Sequence, residues 1–289
     1  MIKKIILILI FITPMIHSGV APYFPEVNHS FVLNPIESDE LSFVFNSKAL
    51  KKSKKAGVSI AHQNREWDYN WFVVGVVIPT QIGHIGLGYS NYGYSSLPVT
   101  KSDTVGAYLD SYTSDTFENV VLAFNPINDW VDVTFYANFK YRKLVDQSAK
   151  AYNFDFKISS PHLLNNQLGL QTKNILGSDY EWGDETSEDL PKYIGIYYIH
   201  PFSKLTLILE NDICTNYSDL STTMGGLSFQ VDPFIRLFFS YQASSILKAT
   251  TFGSEISLTN VFSLKYANRT ESNDNQDLAI HSIGIGVKF

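Results

Sequence analysis

The stretch Trp130–Arg142, WVDVTFYANFKYR, decides the fold. Val131, Val133, Phe135, Ala137, Phe139 and Tyr141 alternate there with Asp132, Thr134, Tyr136, Asn138, Lys140 and Arg142. Successive side chains of a strand point to opposite faces, so a period of two makes one apolar face and one polar face. Length carries the rest of the argument: strands of soluble sandwiches average about 5 or 6 residues, whereas a tilted membrane crossing needs about 9–11. The same division recurs between Tyr152, Phe154, Phe156, Ile158 and Asn153, Asp155, Lys157. Ile235, Leu237, Phe239 and Tyr241 oppose Arg236, Ser240 and Gln242 in the same way. The last segment sets Ala279, His281, Ile283, Ile285, Val287 and Phe289 against Ser282, Gly284, Gly286 and Lys288. Long two-faced strands predict an all-β chain, a transmembrane antiparallel β-barrel.

Turn chemistry supplies the strand count. Six short connections carry Pro or Asn: Pro79–Gln81, Asn125–Asp129, Ser159–Pro161, His200–Ser203, Asp232–Pro233 and Thr259–Asn260. Proline fixes φ and asparagine tolerates the left-handed region, so both suit tight turns. Seven longer connections fall between them, near residues 64–69, 93–115, 143–149, 174–190, 214–221, 244–250 and 270–277. Strict alternation of the two kinds joins fourteen strands over residues 57–289 and leaves both barrel ends on the side of the short turns, the periplasmic side in outer-membrane barrels. Fourteen strands spaced about 4.8 Å and tilted roughly 40° enclose a backbone diameter of about 27 Å, which leaves a lumen either plugged or open.

Ahead of the barrel, Lys3 and Lys4 precede the apolar run Ile5–Ile12, followed by Pro14 and the small residues Ser18, Gly19 and Ala21. This is the pattern of a secretory signal peptide over residues 1–21, and the apolar run is too short for a spanning helix. Its removal leaves 20 basic against 28 acidic residues, a net charge of −8, which does not suggest a nucleic-acid surface. Beyond residue 21 no stretch approaches the roughly 18–20 apolar residues of a spanning helix, so a helical membrane bundle is excluded. One cysteine, Cys214, excludes an intrachain disulfide and a Cys-based zinc site. Residues 22–56 fall outside the strand count. Leu41, Phe43 and Phe45 alternate there with Ser42, Val44 and Asn46, a strand-like piece. A fifteenth strand would break the parity, so the segment reads as a lumenal plug or a periplasmic cap, with an extra edge pairing as the rival.

Phe289, a terminal aromatic closing an alternating strand, looks like the signal that the outer-membrane barrel assembly machinery reads. The stretch Leu87–Tyr108, LGYSNYGYSSLPVTKSDTVGAY, resembles the corresponding strand and loop of the PorV/PorQ-type proteins within the FadL-like barrel group. Asn34-Pro35 ahead of Leu41–Asn46, Asn138–Tyr141, Gly169–Ile175 and Leu190-Pro191 are similar to further pieces of that family. Where the family has small residues after Asn-Pro, this chain has Ile36-Glu37. The resemblance implies a fourteen-stranded barrel with a lumenal N-terminal segment containing Asn34 and Pro35. It implies either a conduit or carrier for hydrophobic or amphipathic compounds, or a component that docks secreted proteins through outer loops.

The polar strand faces place Asp132, Lys140, Arg142, Asp155, Lys157, Lys173, Glu210, Asp212, Arg236, Lys265, Arg269 and Lys288 toward the lumen. Mutual pairing across the interior and a polar conduit are both consistent with this mixture of signs. The lysine run Lys48–Lys55 reads as a solvated linker, with lipopolysaccharide phosphates as an alternative partner. Residues 179–189 hold six carboxylates around Trp182 without the spacing of a calcium loop, and read as a solvated acidic loop. The histidines lack metal spacing, and His281-Ser282 places two side chains on opposite faces, the wrong geometry for a dyad. No cofactor, metal or catalytic site is expected. The expected surroundings are outer-membrane lipids, the assembly machinery, and a hydrophobic ligand or a secreted protein partner.

Overall fold

The structure, a computed structural model, describes residues 41–45, 55–65, 69–103, 106–127, 130–144, 147–160, 167–183, 186–272 and 277–289. The signal-peptide reading, Asn34, Pro35 and the lysines of 48–54 lie outside these residues. Six strands come first: β1 (Gly57–Arg65), β2 (Tyr69–Pro79), β3 (Gly83–Asp103), β4 (Gly106–Pro126), β5 (Asp132–Leu144) and β6 (Gln147–Ser159). The short β7 (Gln167–Lys173) is followed by three fragments, β8 (Leu176–Gly177), β9 (Tyr180–Trp182) and β10 (Ser187–Glu188). The set ends with β11 (Tyr193–Phe202), β12 (Leu205–Cys214), β13 (Thr222–Gln230), β14 (Ile235–Ala243), β15 (Lys248–Ser257), β16 (Phe262–Ser272) and β17 (Asp277–Lys288). All pairings are antiparallel between neighbours, and β1 pairs with β17 from Gly57↔Lys288 to Arg65↔Ile280, so the sheet closes. Closure satisfies every ladder inside the wall and removes the free edges that lipid could not hydrogen-bond. Fourteen strands, the fragments β8–β10 apart, form the barrel.

Which face looks outward follows from exposure. Phe135 and Phe139 are more than half exposed, while the alternating Thr134, Tyr136 and Asn138 are buried. On β6, Tyr152, Phe154 and Ile158 are exposed while Asn153, Asp155 and Lys157 are buried. The protein is thus apolar outside and polar inside, the inversion expected of a barrel solvated by acyl chains. Placing an arginine on the outer face at Phe154 is expected to destabilise the barrel by about 2–4 kcal/mol, read from urea titrations in phospholipid vesicles.

Four features differ from the sequence expectation. Residues 93–115 are not one long loop, because β3 and β4 continue to pair as far as Asp103↔Gly106, with register shifts at Tyr94/Leu97 and Val99/Thr100. Their polar composition hides a continuing strand pair. The connection after Ser159 extends to β7 at Gln167 rather than ending at Pro161. Leu41–Phe45 is not strand-like: Ser42–Phe45 is a 3-10 turn, closed by the Val44 amide donating to the Leu41 carbonyl at 3.0 Å. Alternation over five residues cannot distinguish a strand from a turn that buries Leu41, Phe43 and Val44.

The fourth is the acidic loop, which is folded as well as solvated: Glu181 and Asp189 are exposed, yet the backbone pairs with the wall. Above Lys173 the chain turns through Asn174, at φ 59°, and Gly177, at φ 145°. Asparagine tolerates the first conformation. A Cβ at Gly177 would run into the Tyr152 carbonyl. Through this bend β8 and β9 resume pairing with β6, at Phe154↔Leu176 and at Ala149↔Trp182, and β10 returns along β9. Tyr180 and Leu190 are buried with Ala149 and Ala151, and Trp182 packs on them.

Candidate functional site: the lumen

The inner faces of β2, β3, β4 and β5 make an apolar wall. Trp71, Val73, Val77, Tyr92, Phe117, Val121, Ala123 and Tyr136 are buried in one cluster with Leu41, Phe43 and Val44 of the N-terminal turn. Tyr92 stacks on Phe117 with ring centroids 5.1 Å apart and meets Trp71 at 4.9 Å. Offset aromatic pairs at this spacing add to the free energy of simple area burial. Gly88 is the seat of the turn, since a Cβ there would lie 2.5 Å from Val44 Cγ2 and 3.2 Å from Phe43 Cε2. Asn119 Nδ2 donates to the Val44 carbonyl at 3.5 Å. The five-residue turn therefore rests inside the barrel.

Farther round, Ile208, Phe238 and Ala267 form a second buried apolar cluster on β12, β14 and β16, and the remaining inner face is largely polar. On β6, β7, β11 and β12, Lys157 Nζ donates to Gln171 Oε1 at 3.2 Å and lies 3.7 Å from the Tyr197 ring centroid. Gln171 Nε2 donates to Glu210 Oε1 at 2.7 Å and Asp212 Oδ1 at 2.8 Å. Lys173 Nζ is 2.6 Å from Asp212 Oδ2 and 3.9 Å from Glu210 Oε1. Two inward glycines make room for this network: a Cβ at Gly169 would enter the Tyr197 ring, and one at Gly195 would strike the Asp212 carboxylate. Beside it, Asn138 donates to Asp155 at 3.0 Å, Lys140 donates to Asn174 at 2.9 Å, and Asn174 donates to the Pro191 carbonyl at 2.9 Å. Buried ions persist where partners fill their hydrogen-bonding capacity. These contacts supply them.

Two further groups lie toward the ends. Near the short turns, Asn125 Nδ2 contacts Asp132 at 2.6 Å, Arg236 reaches Glu255 at 3.3 Å, and Lys265, only 2% exposed, lies 3.8 Å from the same Glu255. Near the long loops, Arg142 is 3.1 Å from Asp115 and 2.7 Å from Glu188, and its guanidinium lies 4.6 Å from the Phe117 centroid. Glu188 thus ties the folded loop to the barrel mouth. Arg269 meets Glu271 at 2.8 Å, and both are buried.

The structure brings Lys157, Glu210 and Asp212 into one network, Lys140 and Asp155 into its neighbour, Asp132, Arg236 and Lys265 toward the turn end, and Arg142 to the loop mouth. It adds Gln171, Asn174 and Tyr197, which charge patterning passed over, and the aromatic wall of Trp71, Tyr92 and Phe117. The wall left a trace in the sequence. β2 is apolar on both faces, with Trp71, Val73 and Val77 inward and Phe72, Val74 and Ile78 outward, so its inner face requires an apolar neighbour in the lumen. His281 faces outward against Tyr266, 2.9 Å from its hydroxyl, while Ser282 faces inward to Gln63. Cys214 is buried beside Tyr193 and Leu220. No group of three or more His, Cys, Asp or Glu is placed to hold a metal ion among the described residues.

Neither a protein-family model nor a curated protein matches the chain. Solved structures do. The P. putida toluene transporter TodX aligns with TM-score 0.54 and 8% identity over 87% of this chain and 93% of that one. The CymD monoaromatic hydrocarbon channel gives 0.56 and 7% over 82% and 89%. A Pseudomonas aeruginosa FadL homologue gives 0.51 and 9% over 81% and 89%. The likeness is one of fold: the chain is a closed antiparallel β-barrel of the outer-membrane type, similar in architecture to these three.

Proposed function

We propose that the barrel is a conduit or carrier for small hydrophobic or amphipathic compounds, with residues 22–56 as a plug in its lumen. The observation that carries this reading is the two-sided interior. An aromatic wall of Trp71, Tyr92 and Phe117 adjoins a wall of paired ions and amides, so an amphipathic molecule meets apolar surface on one side and hydrogen-bonding groups on the other. The apolar side is held by Leu41, Phe43 and Val44, whose side chains mimic what a hydrophobic guest would offer. Fold likeness to a toluene transporter and a monoaromatic hydrocarbon channel supports the same class of cargo. Asp132, Lys140, Arg142, Asp155, Lys157, Glu210, Asp212, Arg236 and Lys265 are then the polar lining. Residues 1–21 are the export signal and Phe289 the assembly signal.

Mass spectrometry of organic extracts from protein purified gently out of native membranes, beside an unrelated barrel, tests the reading. An enriched lipid or hydrocarbon is the expected result. A blank extract, together with liposomes that neither hold nor pass such compounds, would overturn it, and co-purifying secreted proteins would then favour a docking role.

A further inference from the structure

The seat of the Leu41–Phe45 turn is only partly matched by what fills it. Ser90 and Asn119 face each other across β3 and β4 on the inner wall. Their row lies one step from the stacked pair Tyr92 and Phe117, and one step on the other side from Gly88, where Phe43 and Val44 are seated. Ser90 is buried, and its Oγ has no hydrogen-bond partner among the described residues; nor has the buried Oδ1 of Asn119. The turn answers this row with the Val44 carbonyl, which accepts from Asn119 Nδ2 at 3.5 Å, beyond the usual range of about 2.7–3.2 Å. A carbonyl has no hydrogen to give, so it does nothing for Asn119 Oδ1. Buried groups left unpaired cost free energy that a better-suited occupant recovers. Asn153, Tyr197 and Thr251 also hold a buried side-chain atom without a partner among the described residues, but they stand on β6, β11 and β15, which do not pair with one another. Of these five residues, Ser90 and Asn119 combine two such atoms in one row, against a segment that is not itself part of the wall.

The row dictates the chemistry of that occupant. Asn119 Oδ1 calls for a donor, and the Ser90 hydroxyl can give a bond or accept one. A hydroxyl group meets both, its hydrogen going to Asn119 Oδ1 and its oxygen accepting from Ser90 Oγ. A hydrocarbon meets neither, and a carboxylate has no hydrogen to give. Lys140, next along the row from Asn119, is engaged with Asn174 at 2.9 Å. On the apolar side the rings of Trp71, Tyr92 and Phe117 adjoin the row, and the aromatic side chain that the seat now holds is that of Phe43. Mostly apolar walls with a few convergent polar groups are the usual make-up of a small-molecule site. We propose that this seat is a binding site for neutral aromatic molecules carrying one hydroxyl, the phenol class, with the ring in the place of Phe43 and the hydroxyl between Asn119 and Ser90. The assignment rests on the carrier reading and narrows it, from hydrophobic compounds at large to those with a hydrogen-bond donor at one end.

Toluene and p-cresol differ by the hydroxyl alone. Each is titrated by sealed equilibrium dialysis against the full-length protein in phosphatidylcholine nanodiscs, with uptake by empty nanodiscs subtracted. The parent protein is expected to bind p-cresol about tenfold more tightly than toluene, in keeping with one or two recovered hydrogen bonds. Asn119→Leu keeps the volume and removes the acceptor, and is expected to bind the two compounds alike. Ser90→Ala, a change of one atom, should lower the preference severalfold, so the result does not depend on the folding of a single variant. A parent protein without the preference, or a preference that survives both substitutions, overturns the proposal and leaves a carrier of hydrocarbons standing. If the parent binds neither compound the proposal also falls, and the organic extract of the native protein then decides the carrier reading by itself.

Discussion

Replacing Lys173 with methionine is expected to destabilise the barrel by about 3–5 kcal/mol, the range found when one partner of a buried ion pair is removed. Lys173 Nζ stands between Asp212, at 2.6 Å, and Glu210, at 3.9 Å, and both carboxylates are buried. Gln171 already donates one amide to both acids, so it cannot replace the missing cation. Methionine fills the volume of the lysine stem, which keeps the loss electrostatic rather than a packing defect. The urea midpoint for unfolding from vesicles should fall for Lys173→Met. Most of the loss should return in Lys173→Met combined with Asp212→Asn, because that pair removes one negative charge with the positive one. A double variant as unstable as the single would mean that Lys173 acts by packing alone.

The second large effect concerns the lumen. Removing residues 22–56 is expected to raise single-channel conductance in planar bilayers by about an order of magnitude, since a fourteen-stranded wall encloses a wide space once nothing occupies it. Gly88→Leu examines the same idea without shortening the chain. Its side chain would collide with Val44 and Phe43 and expel the turn from its seat, while its own position on β3 remains paired. Both variants should conduct more than the parent protein. Conductance unchanged in both would place the barrier elsewhere, in the folded loop that Glu188 ties to Arg142.

The barrel was legible in the sequence because lipid imposes a strict rule on every strand: apolar outward, alternating, and long. Trp130–Arg142 and Tyr152–Ile158 obey it without exception, and the fourteen-strand count follows from the turns between them. The interior was less legible because a lumen imposes no single rule. Charged residues such as Lys157 and Glu210 declared themselves by sign, whereas Gln171 and Asn174 act through geometry that only the pairing of β6, β7 and β11 creates. Gly169 and Gly195 matter for what crosses over them, Tyr197 and Asp212, which lie far along the chain or across the sheet. The turn at Leu41–Phe45 carries a strand-like alternation for a related reason. Its pattern is dictated by the cavity it fills, not by a period of its own.

The seam between β1 and β17 has a consequence for how the molecule comes into being. Nine consecutive residues near the front of the barrel take their partners from the final stretch of the chain, ending at Lys288, and the Phe289 amide donates to the Ala56 carbonyl at 2.9 Å. A ribosome-bound or partly exported polypeptide cannot make this join, because the partner of its first strand has yet to arrive. Until then, both margins of the growing sheet would be open to any neighbouring strand. The protein's biogenesis is therefore governed by custody of two unmatched ends, and a chain that lost β17 would be an incomplete hoop rather than a weaker barrel.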